Sequence, residues 1–231
     1  MQQPEEIPVP LEESEKLIIV TGFGPFVGHE EVNASWEAVQ LLPDHLNFNG
    51  ISYKLSKQHV SVEYEAVDKA VADIWARKPE LVIHCGVHGH AECIHVEKLA
   101  YNHKFRRPDY AGKRLKNGSV CLNSCCDGRD DVIHCGLNVD RIVAAIADNC
   151  GCIPGTTEAA TASLAKASKN VGDYLCGYIY LKSLDINRNR TLFIHVPPID
   201  KPLNSHQTSA VILQIVTECV RQLVENMKGI C

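Results

Sequence analysis

The stretch SKNVGDYLCGYIYLKSLDINRNRTLFIHVPP, residues 168–198, sets a helix pattern directly before a strand pattern. From Asn170 to Leu184 the apolar residues Val171, Tyr174, Leu175, Tyr178 and Leu181 recur at helical intervals. From Thr191 to Val196 the run TLFIHV is largely apolar and is stopped by Pro197 and Pro198, which predicts a short buried strand. One cysteine, Cys176, falls near the predicted helix start, where unpaired backbone N–H groups and the helix dipole favour a thiolate. One histidine, His195, stands 19 residues further on, at the end of the strand. A thiol served by an imidazole is the logic of an activated nucleophile. The competing reading is packing. Free cysteine is among the most buried residue types, and this chain has eleven.

Outside this stretch the sequence reads as further strands alternating with helices, with no internal repeat. Lys16–Phe23, KLIIVTGF, is a continuous apolar run, as expected for a strand covered on both faces. It enters TGFGPF, whose glycines and proline force a tight turn at the strand's carboxyl end, where α/β proteins bind ligands. The pattern is not GxGxxG, so a dinucleotide loop is disfavoured. Phe23 and Phe26 would either project into a site or pack in the core. Asn33 is an N-cap candidate for a helix to Leu42, with Trp36, Val39 and Leu42 as its apolar stripe. A second strand is expected over residues 53–62 and an amphipathic helix over 64–77. Glu80–Val87 reads as another buried strand ending in a glycine turn. Glu97, between Val96 and Leu99 in a short extended piece, is either a surface residue on an edge strand or a carboxylate held near the loop ends.

Residues 102–131 lack periodicity and read as a long loop, with a basic cluster that includes Lys104, Arg106 and Arg107. The same loop carries Cys121, Cys125 and Cys126, but no C-x₂-C pair is matched at zinc-finger spacing, so no metal is expected. A helix over 137–149, a strand over 156–163 and a long amphipathic helix over 204–227 complete the order. The fold class expected is α/β: a single-domain three-layer α/β/α sandwich around a mostly parallel twisted sheet. Residues 1–15, acidic and proline-bearing, are expected to be a flexible tail, and 16–231 the domain. No basic, apolar leader and no apolar run of about 20 residues is present, which predicts a cytoplasmic protein without a membrane partner. The net charge of −5 disfavours nucleic acid.

Four stretches, in order and spanning nearly the whole chain, carry a family resemblance. They are VTGFGPF with VNASWEAV, VIHCGVHG with VEKLAYN, SKNVGDYLC, and FIHVPP. Together they resemble pyroglutamyl-peptidase I, the cysteine peptidases that remove an N-terminal 5-oxoproline. The resemblance implies Cys176 as nucleophile, His195 as base and Glu97 as the carboxylate that orients it. It implies Phe23 and Phe26 around the lactam ring, Tyr174 and Leu175 beside the nucleophile, and Arg107 near the oxyanion. It implies small peptides with an N-terminal pyroglutamate as substrates and no cofactor; homo-oligomerisation is left open. The chain departs from the family at Val171, usually alanine, at Gly177, where many bacterial members have asparagine, and at Leu99-Ala100-Tyr101 with the loop that follows. Two other functions stay open at this stage: a catalytically weak relative that binds 5-oxoprolyl peptides, and a phosphorylase-like enzyme on the same architecture.

Overall fold

The computed structural model describes residues 15–25, 32–102, 105–116, 118–120, 122, 131–148 and 164–228. The expected tail at 1–15, the expected strand at 156–163 and the loop cysteines Cys121, Cys125 and Cys126 lie outside the described residues, Glu15 apart. The elements are β1 (Lys16–Phe23), α1 (Ala34–Gln40), β2 (His45–Phe48), β3 (Ile51–Val60), α2 (Tyr64–Ala76), β4 (Leu81–Val87), β5 (Ile94–Glu97), β6 (Leu99–Tyr101), β7 (Val132–His134), α3 (Val139–Asp148), β8 (Ala165–Ser168), α4 (Leu175–Asn187), β9 (Thr191–Val196) and α5 (Ser205–Lys228). Seven strands form one sheet in the order β2-β3-β1-β4-β9-β5-β8. β3, β1, β4 and β9 are parallel neighbours. β2 reverses against β3, and β5 reverses against β9 while running parallel to β8. β6 and β7 pair separately. Among the described residues no helix is long and apolar enough to cross a membrane.

The apolar runs noted in the sequence are continuous because both faces of the sheet are covered. Side chains alternate across a strand. Ile18 and Val20 of β1, Ile83 and Cys85 of β4, and Ile194 and Val196 of β9 share one core with α1, α3 and α5. The opposite face carries Phe23 and Phe193, packed with Val67 and Val71 of α2 and Leu175, Ile179 and Leu181 of α4. The result is the expected three-layer arrangement. The expected second strand at 53–62 is β3, shifted earlier, and it is preceded by a strand that periodicity missed. Asn49 and Gly50, both with positive φ, make a two-residue turn joining Phe48 to Ile51. Asn-Gly is the strongest short hairpin signal, and it was available in the sequence.

The face under α2 and α4 is not wholly apolar. His84 lies on it, fully buried, between the Thr21 hydroxyl (2.9 Å from Nδ1) and the Ser183 hydroxyl (2.8 Å from Nε2). Trp75 Nε1 donates to the same Ser183 oxygen at 3.3 Å. Burial pushes the His84 imidazole down to about 3, so it bridges β1, β4 and α4 as a neutral ring. Replacing it by leucine strands the Thr21 hydroxyl and halves the bonding of Ser183. We expect His84→Leu to cost ~2–3 kcal/mol, read as a lower urea midpoint with an unchanged m-value.

Candidate active site

Four strands and one helix start build the site on the α2/α4 face. On β4 that face shows His84, Gly86 and then His88 beyond the strand's end; on β9 it shows Phe193 and His195; on β5 it shows His95 and Glu97. Register brings them together. Gly86 pairs with His195 across the parallel β4–β9 ladder, and His95 pairs with His195 across the antiparallel β5–β9 ladder. Two residues along β5, Glu97 then lies beneath the imidazole. Its Oε1 stands 2.9 Å from His195 Nδ1. Glu97 is 0% exposed and His195 4%. The Tyr180 hydroxyl of α4 donates to the Glu97 carbonyl oxygen at 2.9 Å and fixes the backbone there. The surface-glutamate reading of Glu97 is therefore replaced by the buried one, because β5 lies inside the sheet between β9 and β8.

Cys176 reaches this face from above. The helix begins at Leu175, five residues later than periodicity predicts, because Gly172 is left-handed (φ +81) and Tyr174 is extended. Cys176 is thus the second residue of α4, where first-turn N–H groups have no intrahelical acceptor. The Tyr174 side chain makes no capping hydrogen bond at that end. The delayed start depends on Gly177 as well: a Cβ there would collide with the Gly172 carbonyl oxygen. A Cβ on Gly86 would lie 2.8 Å from the Cys176 sulfur and 2.9 Å from the Phe193 ring, so the sulfur rests on bare backbone beside His195. Burial alone lowers the His195 pKa. Hydrogen bonds to Cys176 and Glu97 outweigh it and hold the imidazole up at about 9, so it is charged at neutral pH.

Beside the sulfur is a small cleft. Phe23, Tyr174 and Leu175, which the family resemblance assigns to the substrate pocket, line it. Phe23 does both jobs considered for it, since it is also core at 3% exposure. Phe26 lies outside the described residues. Arg107 stacks its guanidinium 4.4 Å over the Tyr174 ring, at the cleft's edge. Sequence reasoning missed Val62 and Val87, which complete the apolar wall. It also gave Asn33 only a capping role. Asn33 does cap α1, accepting from the Ser35 N–H at 3.0 Å, but it lines the cleft too and donates to the Gly24 carbonyl at 2.9 Å. The Phe23 N–H in turn donates to the Ser35 hydroxyl at 3.0 Å. The pair Asn33-x-Ser35 just after a glycine turn was the available signal. Two larger surface hollows, beside α3 and α5 and beside β7, are not lined by Cys176 or His195.

Two outcomes are expected. In an NMR titration His195 holds its proton to about pH 9, and Cys176→Ala or Glu97→Gln moves its midpoint down, since each removes one of the contacts that raise it. The same proton is lost as pH rises through about 9, so kcat/KM should fall on the alkaline side there. Gly86→Ala should displace the sulfur and cut kcat/KM by ~100-fold while the urea midpoint changes far less than the activity.

Comparison with known proteins finds relatives along nearly the whole chain. The pyroglutamyl peptidase family model matches residues 16–228. Human pyroglutamyl-peptidase 1 is 34% identical over 220 residues, which covers 95% of this chain and 96% of that protein. The crystal structure of pyroglutamyl peptidase I from Bacillus amyloliquefaciens is 26% identical and superposes with a TM-score of 0.70, covering 89% of this chain and 96% of that one. Pyrrolidone carboxyl peptidase from Thermococcus litoralis, at 22% identity, shares the fold with a TM-score of 0.74 over 91% of this chain and 96% of that one.

Proposed function

The chain belongs to the pyroglutamyl peptidase family, and we propose that it does that family's work with Cys176 as nucleophile, His195 as acid–base and Glu97 as the orienting carboxylate. It is a cysteine peptidase that removes the pyroglutamyl residue from the N-terminus of peptides. The observation that carries the triad is the buried His195–Glu97 bond of 2.9 Å, set beside a thiol at a helix start. Glu97 fixes the imidazole through Nδ1 and leaves Nε2 to face the sulfur. The thiolate attacks the 5-oxoprolyl carbonyl carbon, and the developing oxyanion turns to the free N–H groups of the first turn of α4. Each such donor contributes ~3 kcal/mol to the transition state. His195 then gives its proton to the leaving amine nitrogen. A water, deprotonated by the same imidazole, hydrolyses the thioester and restores the thiol.

The cleft explains why the ring is taken. A 5-oxoprolyl residue has no α-ammonium and no charged side chain, so the wall of Phe23, Val62, Val87 and Leu175 suits it. An N-terminal glutamine would bring an ammonium into the same space without a partner. Arg107 over Tyr174 stiffens the outer wall in this reading, and the family resemblance assigns Phe26 to the ring contact. Val171, the departure from the family's usual alanine, is buried in the α2/α4 core at 2% exposure and is not part of the cleft wall, which favours an active enzyme over a silent relative. A thiol nucleophile works in a reducing compartment, in keeping with a cytoplasmic site of action.

A fluorogenic 5-oxoprolyl amide incubated with the pure protein tests this. Cys176→Ala should abolish turnover and His195→Ala should nearly do so. Glu97→Gln should keep the ring oriented but lose the charge, and retain activity reduced by roughly 10- to 100-fold. Wild-type rates from Glu97→Gln at every pH would remove the carboxylate from the mechanism.

A further inference from the structure

The catalytic face does not end at His195. Past the start of α4 it continues into three further histidines. His88 follows β4 directly and donates its backbone N–H to the Val196 carbonyl at 3.0 Å. Its ring stands edge-on to His195, centroids 5.6 Å apart, and 5.4 Å from His95 on β5. His90, exposed, lies 6.4 Å from His88 and its backbone N–H reaches His88 Nδ1 at 3.3 Å. His95 Nε2 is buried with no hydrogen-bond partner among the described residues. Among the described residues no three His, Cys, Asp or Glu side chains stand together as a metal site.

The position of this cluster follows from the reaction. The lactam ring occupies the cleft on the Phe23 and Leu175 side of the sulfur. The leaving nitrogen must face His195, which protonates it. The residue after pyroglutamate therefore leaves on the His195 side, across His88 and His90. Resting on the peptidase reading above, we propose that His88 and His90, backed by His95, form the subsite for this leaving residue and select one that carries a carboxylate.

The charges around the cluster argue for that choice. His88 is faced by His195 from β9, by His90 from its own loop, and by His95 and Glu97 from β5. His95 is faced by Lys166 of β8 as well. The one acid among these groups, Glu97, is buried and bonded to His195. A cationic leaving residue would meet the imidazolium of His195 and Lys166, while the nearby negative groups, Glu97 and the Cys176 sulfur, are already engaged by His195. A carboxylate would meet ring N–H donors and the same positive groups. Burial, then the neighbouring positive groups, hold His88 and His95 below the ordinary imidazole value, His95 at about 4. An incoming carboxylate opposes the positive neighbours at His88 and favours its protonated ring, so its binding is coupled to proton uptake. The preference must then strengthen as pH falls from 8 to 6.

The test compares three peptides, 5-oxoprolyl-Glu-Ala, 5-oxoprolyl-Gln-Ala and 5-oxoprolyl-Lys-Ala amides, by kcat/KM at pH 6, 7 and 8. We expect the glutamate peptide to exceed its neutral isostere about tenfold at pH 6, with the ratio shrinking toward pH 8 and the lysine peptide slowest throughout. His90→Gln, at an exposed position, and His88→Gln should each reduce the ratio and flatten its pH dependence. Equal rates for the glutamate and glutamine peptides at all three pH values would overturn the subsite. So would a preference that keeps its full pH dependence in both variants. Cleavage of none of the three peptides would overturn the peptidase reading itself, and the subsite with it.

Discussion

A carboxylate fully withdrawn from water is costly unless a cation and hydrogen bonds answer it. Glu97 at 0% exposure is such a group, and His195, held charged at neutral pH, answers it through Nδ1 at 2.9 Å. Much of the local architecture serves this contact. β5 must run against β9 in the register that sets His95 opposite His195, because that brings Glu97 under the ring two residues later. The Tyr180 hydroxyl must reach the Glu97 carbonyl, which ties α4 to β5. Removing either partner would leave the other buried and unanswered. The pair therefore constrains the fold and the chemistry together.

The same sheet face grades from structure to chemistry along its length. Beneath the body of α4 it holds His84, neutral and bonded on both ring nitrogens. Two residues along β4 it is bare backbone at Gly86, which leaves room for the Cys176 sulfur. Two residues further it is His88, half-buried and past the helix cover. What separates these roles is where α4 begins. Gly172 in the left-handed region and the close crossing of Gly177 put the first helical turn over Gly86. A helix starting at Asn170 would carry Cys176 into its second turn, where backbone N–H groups are already bonded.

Most of the fold was legible because its central strands are buried on both faces. KLIIVTGF and TLFIHV appear as β1 and β9 at the boundaries read from sequence, and ELVIHCGV as β4 from Leu81. Cys176, His195 and Glu97 were also named from sequence, through the family resemblance, since nothing in their spacing reports that β5 is reversed and interior. What periodicity could not give was the start of α4. Val171 and Tyr174 fit a helical stripe because they pack against α2 from an extended segment, and a contact pattern does not record backbone conformation. Strand β8 was missed for a related reason. AKAS is short and only half-buried, so it has neither the apolar run of a central strand nor a clear alternation. Arg107 over Tyr174 joins a loop to a helix start and leaves no local pattern at all.

The sequence also posed the question of which thiol is the reactive one, and the environments of Cys85, Cys135, Cys176 and Cys219 differ in ways that bear on it. Cys85 is on β4, one residue from Gly86, yet it points into the opposite core, and burial drives its thiol far up. Cys219 on α5 is raised in the same way by the same core. Cys135 is raised by burial too, with its sulfur 3.2 Å from the Thr191 carbonyl oxygen. A thiol kept protonated is a poor nucleophile whatever lies nearby. Cys176 differs in three physical respects: it is half-buried, it sits in the first turn of a helix, and it is hydrogen-bonded to an imidazole that carries charge. The difference in surroundings between Cys85 and the Cys176 sulfur above Gly86 thus comes down to the alternation of one strand. A side chain on the Gly86 face of β4 meets the Cys176 sulfur, and a side chain one residue earlier meets only the opposite core.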